Sequence, residues 1–152
     1  MEMDFPAWPP AACVVPAALL PALGLETARV LKARDYLVVV ERSEQVRALA
    51  PDFPALAQLE SGVGGVIVTA PGDGDIDYVT RFFCPAIGIN EDPATGSISC
   101  TLAPYWADRL GKRTLRAQQL SGRGGELRCQ IDGNRVKIAG QARLYLQGML
   151  AL

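Results

Sequence analysis

The feature that most constrains the fold is a change of hydrophobic period within residues 82–106. Up to Phe82 the chain alternates apolar and polar residues, as a β-strand does, whereas after Ser97 the apolar residues recur at helical spacing. Both sides of the predicted helix, from about Ser97 to Leu110, are apolar, so it must be enclosed by other elements. The segment between strand and helix is acidic and contains glycine, which predicts a strand-to-helix connection.

This connection has the properties of an anion-binding and proton-transferring site. The first turn of a helix has backbone N–H groups without intrahelical partners and a partial positive charge, and Gly96 followed by Ser97 lets an anion approach both. Asp92, held by Pro93 at the rim of the same turn, could accept or donate a proton while the helix neutralises a bound carboxylate. A structural alternative is that Asp92 caps its own turn and Ser97 is an ordinary N-cap.

The same stretch resembles the PhzF-like isomerases of phenazine biosynthesis. The similarity extends from about residue 3 to the C-terminus, and the string from Glu91 to Ser97 is long and specific. The matching residues are Arg81-Phe82-Phe83, Gly88-Ile89, Glu91-Asp92-Pro93-Ala94-Thr95-Gly96-Ser97, Leu102-Ala103, Tyr105-Trp106, Leu110-Gly111-Lys112, Gln119, Ser121 and Arg123-Gly124-Gly125. We therefore expect residues 1–152 to form a single domain that is similar to the C-terminal half of a family member.

The resemblance implies a diaminopimelate-epimerase-like fold and a set of site residues. Family members have two similar halves, each with a central helix that points at the cleft between them. The expected fold class is α+β, with a mixed, largely antiparallel sheet wrapped as a barrel around a central helix. Asp92 matches a residue implicated in proton handling, and Gly96 and Ser97 match positions that contact substrate. The implied reaction is a cofactor-independent proton shift on a small carboxylate substrate, with no metal.

Two departures from the family limit what this chain can do alone. The family's principal acid/base glutamate and a substrate-contacting histidine belong to the other half, and this chain contains no histidine. Since an isomerisation needs an acid and a base, we expect activity only when an N-terminal half is present. The neighbouring Glu91 would point elsewhere along an extended connector. Ser99 stands where relatives carry a histidine, which removes that group's role.

Composition excludes several other classes of function. A formal charge of -1 gives no electrostatic case for nucleic acid or an anionic membrane. The longest apolar run, residues 11–25, is broken by Pro16 and Pro21, so it could not span a bilayer. Residues 1–4 are acidic where a signal peptide would be basic, and we predict a cytoplasmic protein.

The four cysteines are widely spaced, which favours reduced and mostly buried thiols over a metal knuckle or a disulfide framework. Without histidine the chain has neither a Cys-His pair nor a histidine-ligated zinc. Cys100 could have a lowered pKa near the helix start, as in epimerases that use thiols, but it lies one turn too deep, and a buried core thiol is the better interpretation.

Two further segments each have two interpretations, and one proline gives a local prediction. Residues 123–125 could supply a cation and a close backbone approach at the cleft, or a bulged strand entry with a solvated arginine. Tyr105 and Trp106 could form a stacking wall for a ring, but their spacing on a buried helix favours core packing. Pro104 should remove the hydrogen bond to the carbonyl of Cys100.

The remaining pattern predicts short helices and a series of strands. The predicted strands are residues 1–5, 28–32, 36–41, 64–70, 76–82, 114–118, 126–131, 135–139 and 142–147. Asp132-Gly133 predicts a hairpin, and Gly111 should end the central helix.

Two hypotheses of different class follow. In the first, the chain is a half-domain of a PhzF-like isomerase that needs a complementary N-terminal half. In the second, it is a non-catalytic binding or dimerisation remnant of that family. Either predicts apolar groups and strand edges on one face, so we expect a homo-oligomer or a complex with the other half.

Overall fold

A long mixed sheet is the main element of the fold in a computed structural model that describes residues 1–59 and 64–149. The strands are β1 (Glu2–Pro6), β2 (Ala11–Ala12), β3 (Arg29–Lys32), β4 (Tyr36–Val39), β5 (Val66–Pro71), β6 (Tyr78–Cys84), β7 (Ile89–Glu91), β8 (Thr114–Gln119), β9 (Gly125–Asp132) and β10 (Arg135–Ala139). The helices are α1 (Leu19–Ala22), α2 (Ser43–Ala48), α3 (Phe53–Ala57) and α4 (Ser99–Leu110), with a 3-10 turn at Pro85–Ile87.

The sheet curves but does not close, which corrects the expected barrel. Its strand order is β1-β10-β9-β8-β6-β5-β4-β3-β2, so β1 and β2 are opposite edges, while β7 pairs with β6 off this path. Most neighbours are antiparallel, and the parallel pairs are β4 with β5 and β6 with β8. The fold is therefore α+β with a mixed sheet, as the sequence predicts.

The connection between the two edge strands β1 and β2 does not continue the sheet. Residues 6–10 contain three prolines, which have no N–H to donate, and β2 has only two residues. The connection instead lies against α4, where the N–H of Trp8 donates to the carbonyl of Cys100 at 2.8 Å. This is the carbonyl that Pro104 leaves free inside the helix, as the sequence predicts.

Both faces of the central strands are covered. On one face, Leu37, Ile67 and Tyr78 belong to the same buried cluster as α4. On the other face, alternate residues such as Val38 and Val68 pack with the short helices α1, α2 and α3. This two-sided burial explains why β4 and β5 are nearly continuous runs of apolar residues.

Helix α4 has more buried residues than the other described helices. Trp106 is only 2 % exposed, stacks on Tyr78 with ring centroids 5.9 Å apart, and donates its indole N–H to the hydroxyl of Thr69 at 3.1 Å. Tyr105 meets Trp106 edge-on at 5.3 Å. The interpretation of Tyr105 and Trp106 as core residues is therefore correct. The helix ends at Gly111 with a φ of 64°, in agreement with the sequence.

Several local predictions need correction at the ends and edges of the fold. Residues 142–147, a predicted strand, have no regular secondary structure. The sequence gives no signal for β2 and β7, which have two and three residues. The hairpin between β9 and β10 is present, but Asp132 pairs with Arg135, so its two loop residues are Gly133 and Asn134. Gly133 has a φ of 59°, which only glycine adopts readily.

Replacing the central aromatic ring tests this account of the core. Trp106→Ala should lower the free energy of unfolding by about 3–5 kcal/mol, because it leaves a cavity between α4 and the sheet. Leu110→Ala, on the same helix but 40 % exposed, should cost about 1 kcal/mol or less. Urea unfolding followed by circular dichroism measures both values. Equal losses for the two variants would mean that α4 is not the centre of the core.

Candidate functional site

The candidate site begins where β6 changes its neighbour. The first residues of β6, Tyr78 to Thr80, pair with the end of β8, whereas Phe83 and Cys84 pair with β7. Just after β7, the N–H of Asp92 donates to the carbonyl of Phe82 at 3.1 Å. The chain then leaves the sheet and turns into α4, so the motif lies at the ends of two central strands, next to the end of β8.

The side chain of Gln119, the last residue of β8, holds this turn in place. Its oxygen accepts from the N–H of Thr95 at 2.7 Å, and its amide nitrogen donates to the carbonyl of Asp92 at 2.6 Å. Ser121 adds a second anchor, because its hydroxyl donates to the carbonyl of Pro93 at 2.6 Å. Gln119 is only 3 % exposed, so these bonds are protected from water and fix the turn's geometry.

The carboxylate of Asp92 is half-buried and has one oxygen bound within its own turn. Its Oδ2 accepts from the hydroxyl of Thr95 at 2.8 Å. Within residues 1–59 and 64–149, no group donates to its Oδ1. The structural alternative, an Asx-type cap, needs a backbone N–H donor, whereas the donor here is the Thr95 hydroxyl; the other oxygen is available to a ligand or a proton.

The start of α4 leaves backbone donors without partners. The first helical bonds run from Ser99 to the carbonyl of Gly96 at 3.0 Å and from Cys100 to that of Ser97 at 3.1 Å. In the described part of the chain, the N–H groups of Gly96, Ser97 and Ile98 donate to no protein acceptor. A Cβ placed on Gly96 would meet no atom within 4 Å, so the space beside it is open. Such a helix start attracts an anion.

Ser97 is not an N-cap, which corrects that alternative. Helix α4 begins at Ser99 after the cap residue Ile98, and no side chain caps it. The hydroxyl of Ser97 instead lies 3.4 Å from the Nη2 atom of Arg34. Its position beside the free N–H groups is compatible with a role in binding.

Arg34 adds a cation that the sequence does not predict. It lies in the turn between β3 and β4, where its Nε donates to Asp35 at 3.1 Å and its guanidinium stands 5.5 Å from the ring of Trp8. Asp35 is almost fully buried and also accepts from the N–H of Gly65 at 2.7 Å. The guanidinium, which is 41 % exposed and paired with Asp35, therefore lies next to Ser97, where it presents N–H donors to an anion.

Glu91 is occupied by a structural ion pair. Its two oxygens accept from Arg81 at 2.7 and 2.9 Å, and Arg81 also donates to the carbonyl of Leu49 at 2.8 Å. Both side chains are largely buried. The pair fastens β7 to α2, and it leaves Asp92 as the carboxylate of this motif with a free oxygen.

The segment from Arg123 to Gly125 contains elements of both interpretations. Arg123 is exposed and, with Ala94 and Gln119, lines a cavity of about 580 Å³. A Cβ on Gly125 would come within 3.2 Å of the Cβ of Ala94, so the close backbone approach is real. Gly124 has a φ of 74° and donates its N–H to Ser121 at 3.0 Å. This segment therefore packs directly against the motif's turn.

The buried thiols are poor nucleophiles. Burial raises the pKa of the Cys100 thiol, and Cys100 is fully enclosed. Burial also raises the pKa of Cys84, with further increases from the carboxylates of Asp92 and Asp35. The interpretation of Cys100 as a core thiol is therefore correct. Among the described residues, no three Cys, Asp or Glu side chains are grouped as a metal site would need.

The structure thus brings Asp92, Gly96 and Ser97 together at one turn and adds Arg34, Gln119 and Ser121 to it. No local pattern identifies Arg34, because its contact with Ser97 joins residues 63 positions apart. Gln119 and Ser121 are among the residues that carry the family resemblance, but their hydrogen bonds to the turn require the fold.

None of the helices within residues 1–59 and 64–149 has the length and hydrophobicity that a membrane span requires.

Comparisons with known proteins agree with the resemblance. A family model described as "Phenazine biosynthesis-like protein" (PhzC-PhzF) matches residues 21–148. An uncharacterized isomerase of Pseudomonas aeruginosa is 51 % identical over 152 residues, which are 100 % of this chain and 58 % of the relative. An uncharacterized isomerase of Halalkalibacterium halodurans is 38 % identical over 155 residues, again 100 % of this chain and 58 % of the relative.

Solved structures give the same result. One of them is the crystal structure of a PhzF-family phenazine biosynthesis protein from Enterococcus faecalis, which is 43 % identical to this chain with a TM-score of 0.89. The match covers 99 % of this chain and 57 % of the Enterococcus faecalis chain. The chain therefore spans about 58 % of the length of these curated relatives.

Removing the buried amide of Gln119 tests how the turn is held. Gln119→Ala should cost about 1–3 kcal/mol of unfolding free energy, because it leaves the N–H of Thr95 and the carbonyl of Asp92 unpaired. The amide of Thr95 should also exchange with solvent faster. Gln118→Ala, which removes no hydrogen bond described in the structure, is the matched control. If Thr95 stays equally protected in both variants in hydrogen-exchange NMR, Gln119 does not position the turn.

Proposed function

Because the chain belongs to the PhzC-PhzF family of phenazine biosynthesis-like proteins, we propose that it is part of an isomerase that transfers a proton on a small carboxylate substrate. One observation carries this proposal. One short connection between β7 and α4 contains the carboxylate of Asp92 and the backbone N–H groups of Gly96, Ser97 and Ile98. Among the described residues, one oxygen of this carboxylate has no donor and the three N–H groups have no acceptor.

Each group at the turn has a distinct task in the proposed reaction. The N–H groups and the guanidinium of Arg34 bind the substrate's carboxylate, and they stabilise negative charge that develops when a proton leaves carbon. The Thr95 hydroxyl holds one oxygen of Asp92, so the other oxygen is directed to the reacting atom. The carboxylate then accepts or returns the proton as a general base or acid. No cofactor is needed for such a shift.

The second acid/base group of the reaction would come from another part of the protein. An isomerisation removes a proton at one carbon and adds one at another, and the turn offers a single carboxylate because Arg81 occupies Glu91. The curated relatives are longer than this chain, which spans 58 % of their length. We propose that the remaining part, which the resemblance implies to be an N-terminal half with a glutamate, completes the site.

Substitution of Asp92 tests its role in proton transfer. Asp92→Asn keeps the shape of the side chain but removes the base, so the rate should fall about 10²–10⁴-fold. The reaction is measured as deuterium uptake at carbon in a panel of small cyclic and aliphatic carboxylates, by proton NMR in D2O. The protein is this chain co-expressed with the complementary segment, meaning the part of the Pseudomonas aeruginosa relative that this chain does not match.

Asp108→Asn is the control, since Asp108 is exposed on α4 and has no described partner. It should exchange at the rate of the unsubstituted protein. If Asp92→Asn also keeps that rate, Asp92 is not the proton-transfer group. If the unsubstituted complex binds carboxylates but moves no proton, the chain is a binding remnant of the family and the proposed isomerase activity is wrong.

A further inference from the structure

A second cavity lies at the opposite end of helix α4 from the candidate site. It has a volume of about 550 Å³, and its wall includes Tyr105, Trp106 and Arg109 of the helix. At a rise of about 1.5 Å per residue, Arg109 lies about 15 Å along the helix from its first residue, Ser99. The cavity shares no lining residue with residues 91–97 or with the cavity beside Gln119. It is therefore a separate place on the protein.

The pairing of β3 with β4 directs side chains towards this end of α4. Arg29 lies directly opposite Val39 in the antiparallel pair, so their side chains project from the same face of the sheet. Leu31 and Leu37, each two residues further along, belong to the buried cluster of α4. Because side chains alternate along a strand, Arg29 and Val39 lie on the face that carries the helix. Glu41, just after β4, lines the cavity with them.

The charged side chains around this cavity have no ionic partners in the part of the chain that the structure describes. Arg29 and Arg109 are both exposed, and within residues 1–59 and 64–149 no hydrogen bond or ion pair involves either guanidinium. The guanidinium of Arg109 instead lies over the ring of Tyr105, 5.5 Å from its centre. Glu41 is exposed as well, and no described donor reaches its carboxylate. Two cations and one anion are therefore available to a ligand.

Uncharged donors add to this set. The side-chain oxygen of Gln45 accepts from the N–H groups of Glu41 and Arg42 at 3.1 and 3.0 Å, and no described acceptor takes its amide nitrogen. Tyr105 is only 7 % exposed, yet its hydroxyl has no hydrogen-bond partner among the described residues. Buried tyrosine hydroxyls usually have a partner. An unpaired hydroxyl in a residue of the cavity wall calls for an explanation, and a bound ligand supplies one.

This lining favours an anion with an apolar body. The charges of Arg29, Arg109 and Glu41 sum to +1, since two are positive and one is negative. Guanidinium groups bind carboxylates through paired N–H donors. Val39 and Trp106 add apolar surface to the wall, and aromatic side chains pack well against a flat ring.

We propose that this cavity binds a small aromatic monocarboxylate, as a second ligand site at the far end of α4. The carboxylate pairs with the guanidinium groups of Arg29 and Arg109, and the ring packs on Val39 and Trp106. Glu41 repels a second negative charge, so the ligand carries only one. The inference goes beyond the proposed isomerase function and does not depend on it, because the cavity contains no residue of the Asp92 turn.

An NMR titration of this chain with 3-phenylpropionate tests the proposal. The indole N–H of Trp106 and the backbone amide of Arg109 should shift with one saturation curve. Arg29→Gln and Arg109→Gln should each weaken this binding at least about 10-fold, because each removes a charge-assisted hydrogen bond. Glu41→Gln should strengthen it about 2–5-fold, because it removes a repulsion at an exposed site. Phenethylamine, which has the ring without the carboxylate, should cause no shift.

Arg47→Gln is the control variant, since Arg47 is also exposed but does not line the cavity. It should bind as the unsubstituted chain does. Unchanged binding by both cavity arginine variants, equal binding of phenethylamine, or no shift at Trp106 with millimolar 3-phenylpropionate would overturn the proposal. Binding at the start of α4 is read separately from the amide of Gly96. A shift at Gly96 without one at Trp106 would therefore refute only this second site, and the reverse would leave the second site in place.

Discussion

The burial of helix α4 within the curved sheet is the constraint on which the other features depend. Pro104 leaves the carbonyl of Cys100 without its helical donor, and the N–H of Trp8 takes that place at 2.8 Å. The chain between the two sheet edges is thereby fastened across the helix, and the sheet curves around α4 without closing. The connection that leads into the first turn of α4 leaves the sheet where β6 changes its pairing partner from β8 to β7.

The chemistry of the candidate site follows from this connection into α4. The connection into α4 is too irregular to pair with a strand, so buried side chains, chiefly Gln119, satisfy its backbone groups. They satisfy the turn from Asp92 to Thr95 but not the next three N–H groups. Leaving donors free at the helix start costs stability, and an anionic ligand would recover it. The proposed binding site thus lies where, among the described residues, the backbone N–H groups before α4 have no acceptor.

Local patterns predict most of this architecture. The periods of β4, β5, β6 and α4, the glycine that ends α4 and the hairpin near Gly133 all depend on neighbouring residues, and each is present in the structure. The features that sequence reasoning does not reach are long-range. The contacts of Arg34 and Gln119 join distant segments, and so does the hydrogen bond from Trp8 to Cys100 where residues 6–10 cross α4. The three residues of β7 are too few for a pattern. Asp92, Gly96 and Ser97 can be named as candidates from the sequence because all three lie within one specific motif, residues 91–97.

An NMR titration of this chain with anthranilate tests most directly whether the start of α4 binds a carboxylate. The amide signals of Gly96, Ser97 and Ile98 should shift together with one saturation curve, and added salt should weaken binding because the attraction is electrostatic. The amide of Gly133, in the distant hairpin, should not move. Shifts spread evenly over the protein, or none at these three amides at millimolar anthranilate, would contradict the account.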